Sequence, residues 1–183
     1  TTTTPPTPAP IDQKGAVEAT LGLRSKADLG SVLDYRVEAG LQFGTRRTKG
    51  SKDAADVFAW QADAELGAKL GDTGLRLALE GLVASGDDPA TAEQEGYDQL
   101  YPTAHLFLGL MDFVGGRTNV ASGVFHAHWK KPWLRVLLDV HAFWRMEVPD
   151  GQETYLGSEA DLNLVYPIGQ NLTLRALYGQ FIP

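Results

Sequence analysis

Eight segments of this chain alternate apolar and polar residues at every second position, and the polar positions hold most of its charge. The clearest is 134–145. Its even positions are Leu134, Val136, Leu138, Val140, Ala142 and Trp144, and its odd positions are Arg135, Leu137, Asp139, His141, Phe143 and Arg145. A β-strand sends successive side chains to opposite faces, so this pattern gives one oily face and one studded with charge. An ordinary half-buried strand turns its oily face to a core. Here the strands follow one another with no helical pattern to cover them, which points to a wall whose oily side meets lipid.

Strand candidates fall at 16–25, 31–44, 57–71, 74–85, 119–130, 133–147, 154–166 and 171–182. The fold class expected is all-β, an antiparallel up-and-down transmembrane β-barrel with about eight strands in this chain. Bulk composition is compatible with that reading. Hydrophobic residues make up 43% and mean hydropathy is −0.18, because only alternate residues of a barrel strand face lipid. A soluble sandwich or calyx with the same faces packed inward is the competing architecture, and the dense, mixed-sign charge of the polar faces argues against it. No apolar run approaches the roughly 20 residues of a spanning helix. A net charge of −7 with dispersed bases excludes a nucleic-acid surface. The absence of cysteine removes disulfides and thiolate metal sites.

Residues 1–14 begin with a Thr/Pro-rich run and read as a flexible loop or linker, and 15–183 as the barrel region. The links alternate in length. They are short at 25–30, 71–74, 130–132 and 167–170, long at 45–56 and 86–118, and intermediate at 147–153. Short turns face the periplasm in outer-membrane barrels and long loops face outward. That assignment puts both ends of the chain on the outer side, so the expectation is part of a larger barrel, cut inside two outer loops. An eight-strand barrel that closes alone, a structural or interaction module without conductance, is the alternative.

The inward positions collect Arg24, Arg36, Lys69, Arg76, Arg135, Arg145 and Arg175, facing acids that include Glu80, Asp139, Glu159 and Asp161. Arginine holds its charge and grips carboxylates in a fork. These residues, with His141, are the candidate pore-lining and substrate-guiding set. In the plainer reading, each arginine is neutralised by an acid across a strand pair. His126, His128 and His141 project inward on adjacent strands; a transition metal suits such a group, but ordinary lumen histidines are the expectation, and no metal or other cofactor is assigned. His105 has no partner that spacing identifies. The acids Asp87, Asp88, Glu93, Glu95 and Asp98 match no calcium-loop spacing and predict a solvated outer loop. Ser122 and His126 share a strand face, yet no acid is placed to complete a triad, so no catalytic residues are assigned and no enzyme is expected.

Several blocks in order carry a more specific signal: Ala84-Ser85-Gly86-Asp87-Asp88, Tyr101-Pro102-Thr103-Ala104-His105 and Gly109-Leu110-Met111-Asp112-Phe113, followed by Asn119, Lys131-Pro132 and His141-Ala142-Phe143. This stretch resembles the C-terminal half of the alginate-export family of outer-membrane β-barrels, and the likeness extends over residues 15–183. The resemblance implies a monomeric barrel of about eighteen strands whose arginine-rich lumen lets an acidic polysaccharide leave the cell. It also implies a location in the bacterial outer membrane. The implied partners are outer-membrane lipid, an anionic polysaccharide or small anions, and periplasmic secretion proteins.

Overall fold

The alternating segments become eight β-strands in the computed structural model, which describes residues 16–47, 54–100 and 108–183. They are β1 (Glu18–Leu29), β2 (Leu33–Arg47), β3 (Ala54–Lys69), β4 (Leu75–Ala84), β5 (Val120–Lys131), β6 (Leu134–Trp144), β7 (Tyr155–Ile168) and β8 (Leu172–Ile182). The 1–14 linker expectation, His105 and the block at 101–105 lie outside the described residues. The first short link sits at 30–32 rather than 25–30, because β1 runs on to Leu29.

Each strand pairs antiparallel with the next in sequence, in the order β1-β2-β3-β4-β5-β6-β7-β8. This is the up-and-down arrangement that period-two segments joined by alternately short and long links dictate. The sheet is open: β1 and β8 are its edges, and both are exposed along nearly their whole length. The alternative of a barrel closed on these eight strands is therefore not realised. Among the described residues no helix is long and apolar enough to cross a membrane.

Register sorts the faces as the alternation demands. In β3, Phe58, Trp60, Ala64 and Leu66 are exposed on one side, while Val57, Ala59, Gln61, Asp63 and Gly67 are buried on the other. The outer face carries aromatic rings near both strand ends. Phe43 opposes Phe58, and Trp144 packs on Tyr155 with centroids 5.8 Å apart. At the short-turn end Trp129 meets Trp133 edge to face at 5.7 Å. Amphipathic rings at these levels suit the two lipid–water boundaries. One irregularity breaks the pattern. The register shifts between Phe143 and Trp144, leaving Leu156 without a cross-strand partner. Leu156 packs against the inner cluster of Leu82, Ala84, Leu108, Val120 and Phe143.

Candidate pore-lining site

The inner face is a ladder of cross-strand rungs whose composition changes from one strand end to the other. Nearest the short turns, one rung reads Lys130, Arg135, Val165, Arg175 across β5 to β8. The next inward rung reads Arg76, His128, Leu137, Asn163 across β4 to β7. Then come Ala78, His126, Asp139, Asp161, and beyond them Arg36, Glu65, Glu80, Val124, His141, Glu159 from β2 to β7. Rungs on alternate residues share a face, which is why spacing of two in the sequence becomes a column in the wall.

The inward bases Arg36, Lys69 and Arg76 of β2 to β4 are engaged by acids. Arg36 holds three carboxylates, Asp63 at 3.2 Å, Glu65 at 3.0 Å and Glu80 at 2.8 Å. Arg76 is held by Asp34 and Glu65. Its guanidinium lies over Gly67, where a Cβ would collide with it. Lys69 meets Asp28 at 2.5 Å, and Arg24 reaches Glu38 at 3.7 Å. Opposite charges on neighbouring strands neutralise one another across the ladder. The bases of β6 to β8 differ. Arg135 and Arg175 are exposed and, with Arg145, have no ion pair among the described residues. Arg145 follows β6 at the opposite end from Arg135, so the structure does not bring the three together. It brings Arg135 and Arg175 onto one rung with Lys130 instead, a base the sequence reasoning left out.

In the segment between β4 and β5, Asp87, Glu93 and Asp98 are exposed as a solvated loop requires, but the segment is more than that. It folds across the inner face. Gln94 forms a bridge beside Val57, and Gln42 exchanges two hydrogen bonds with the backbone of Asp98, at 2.7 and 2.8 Å. Further along, Leu110 N–H donates to Asp161 at 3.0 Å and Met111 N–H donates to Glu159 at 2.8 Å. Gly109 approaches so closely that a Cβ would strike the Glu159 carboxylate. Phe113 stacks on Phe181 with centroids 4.2 Å apart. Tyr97 covers Gly40, and burial raises its phenol above the usual range, so the hydroxyl stays neutral at physiological pH. Arg117, also unanticipated, is only 4% exposed and reaches Asp63 at 2.8 Å, Glu38 at 3.0 Å and Gln61 at 3.1 Å. The apolar run Leu108–Phe113 was the signal available, since a solvated loop has no use for four apolar side chains in six positions.

The histidines separate. His126 Nδ1 lies 2.6 Å and His128 Nε2 2.7 Å from the same oxygen of Asp139. His141 instead faces Asp161 at 3.5 Å. Beside them is a cavity of about 290 Å³ between the wall and the folded-in segment. Ser122 is buried and its hydroxyl has no hydrogen-bond partner among the described residues.

A strand-spanning sheet with aromatic boundaries, a lipid-compatible outer face and a charged inner face belongs to the class of membrane β-barrel walls. Residues 12–183 match the family model described as alginate export, and the chain belongs to that family. It is a family of outer-membrane β-barrels devoted to transport of exopolysaccharide rather than catalysis. No curated protein matches the chain.

Proposed function

We propose that the chain forms part of the wall of a bacterial outer-membrane channel through which an acidic polysaccharide leaves the cell. The observation that carries this reading is the partition of inner-face charge. Arg36, Lys69 and Arg76 are consumed by acids, whereas Lys130, Arg135 and Arg175 stand together on one rung without an acid opposite. Fixed unpaired bases at a pore mouth raise the local concentration of anions. If the short turns face the periplasm, this rung is the first that a departing polyanion meets, and the exposed edges of β1 and β8 support a wall continued by further strands. Periplasmic delivery proteins are the partners such an entrance would take.

The test is a planar-bilayer recording of the barrel in a KCl gradient. Neutralising Lys130, Arg135 and Arg175 together to glutamine is expected to move the reversal potential towards cation preference. An unchanged reversal potential in the triple variant would remove the guiding role.

A further inference from the structure

We propose that His126, His128 and Asp139 bind one divalent transition-metal ion, with zinc(II) as the reference cation, on the inner wall where β5 meets β6. Two imidazoles and a carboxylate are the donor set that zinc, cobalt, nickel and copper favour over calcium or magnesium. The three ligating atoms lie within 4.8 Å of one another. Register fixes the arrangement: His126 is the cross-strand partner of Asp139, and His128 follows two residues on, on the same face. Neighbouring ligands of a tetrahedral zinc are about 3.3 Å apart for bonds of about 2.0–2.1 Å. Asp139 Oδ1 sits 2.6 and 2.7 Å from the two ring nitrogens, so the carboxylate and each ring need to separate by less than about 1 Å to share an ion.

A second observation points to a ligand independently. The other nitrogen of His126, Nε2, lies 3.1 Å from Glu80, which is itself held by Arg36 at 2.8 Å. A carboxylate on the far nitrogen of a metal-bound histidine fixes its tautomer and aims the lone pair of Nδ1 at the ion. Here that support is present on the side away from Asp139. The 290 Å³ cavity borders both histidines and Asp139 and leaves room for water in the remaining coordination position. A second grouping, Glu65, Glu80 and His126, is also close. The Arg36 guanidinium already occupies both of its carboxylates, so a cation there would have to displace a fixed positive charge.

The full chain, folded in detergent micelles and stripped with chelator, would be titrated with zinc sulfate by calorimetry. One equivalent is expected to bind. His128→Ala and Asp139→Asn should each weaken binding at least tenfold, and Glu80→Gln by about 10–100-fold. His105→Ala should bind like the unaltered chain. Because a variant can lose its fold, X-ray absorption on the zinc-loaded unaltered chain supplies a second reading, with two imidazoles and at least one oxygen expected around the ion. No binding at millimolar zinc would overturn the proposal. So would a shell with fewer than two imidazoles, or loss of binding in His141→Ala with none in His128→Ala.

Discussion

Arg117 donates to Asp63 at 2.8 Å across 54 positions of sequence, and through that contact the segment between β4 and β5 is pinned to the wall it crosses. The Asp63 side chain is fully buried and shares only Arg36 and Arg117 as ion-pair partners among the described residues. Replacing Arg117 by methionine should therefore cost on the order of 3 kcal/mol, most of it from a carboxylate left without half its compensation. The segment should also come loose. Limited proteolysis is expected to cut within 108–118 in Arg117→Met and to spare those residues in the unaltered chain, and single-channel conductance should rise. Equal protease resistance would mean that the apolar contacts of Leu108 and Phe113 hold the segment unaided.

Arg36 and Arg135 differ in what surrounds them, and substitution should separate structure from selectivity. Arg36→Ala takes one cationic partner from each of Asp63, Glu65 and Glu80 on the inner face and should lower unfolding stability by on the order of 3 kcal/mol. Arg135→Ala should leave the urea midpoint where it was, since no acid loses a partner, while reducing anion preference in bilayers. Matching midpoints for both variants would show that the buried carboxylates tolerate the loss of Arg36.

Gly67 is open because the Arg76 guanidinium lies on it. Gly67→Ala should push that group away from Asp34 and Glu65 at a cost of about 1–3 kcal/mol, the usual penalty for overfilling a packed site. Equilibrium unfolding in urea measures it. Combining Gly67→Ala with Arg76→Ala should then cost no more than Arg76→Ala alone, because the two changes remove one interaction.

Leu137 and Leu138 are adjacent in β6 and point to opposite media. Leu138→Arg places a charge against lipid near the middle of the strand and should cost about 2–4 kcal/mol or prevent membrane assembly. Leu137→Arg enters the aqueous cavity near Asp139 and Asp161 and should assemble normally. Heat-modifiable gel mobility reads both outcomes. Equal behaviour would mean that the outer face of β6 does not meet hydrocarbon.

The wall was legible from the chain because a strand has a fixed period, and the even positions from Leu134 to Trp144 are apolar without a break. The inward segment was not legible. Residues 86–118 have no period, so nothing in them states a register or a partner, and Arg117 after Gly115-Gly116 looks like any solvated arginine until Asp63 is beside it. Asp139 shows the intermediate case. Spacing put it near three histidines, but the choice of His126 and His128 over His141 follows from which residues stand opposite, a register set by the turn at 132–133 that joins β5 to β6. Leu156 marks a further limit, since an unpaired extra residue at the β6–β7 pairing turns its own side chain inward and puts Tyr155 on the outer face beside Trp144, against the parity of Gly157 and Glu159.

The edges of β1 and β8 have a consequence for how such a wall enters a bilayer. Each edge leaves a row of amide N–H and C=O groups with no strand beside it, and hydrocarbon offers them nothing to bond. The sheet therefore has no low-energy way to cross a bilayer flat and alone. Insertion and lateral pairing must proceed together, and any machinery that chaperones the wall into lipid has those two seams as its natural handholds.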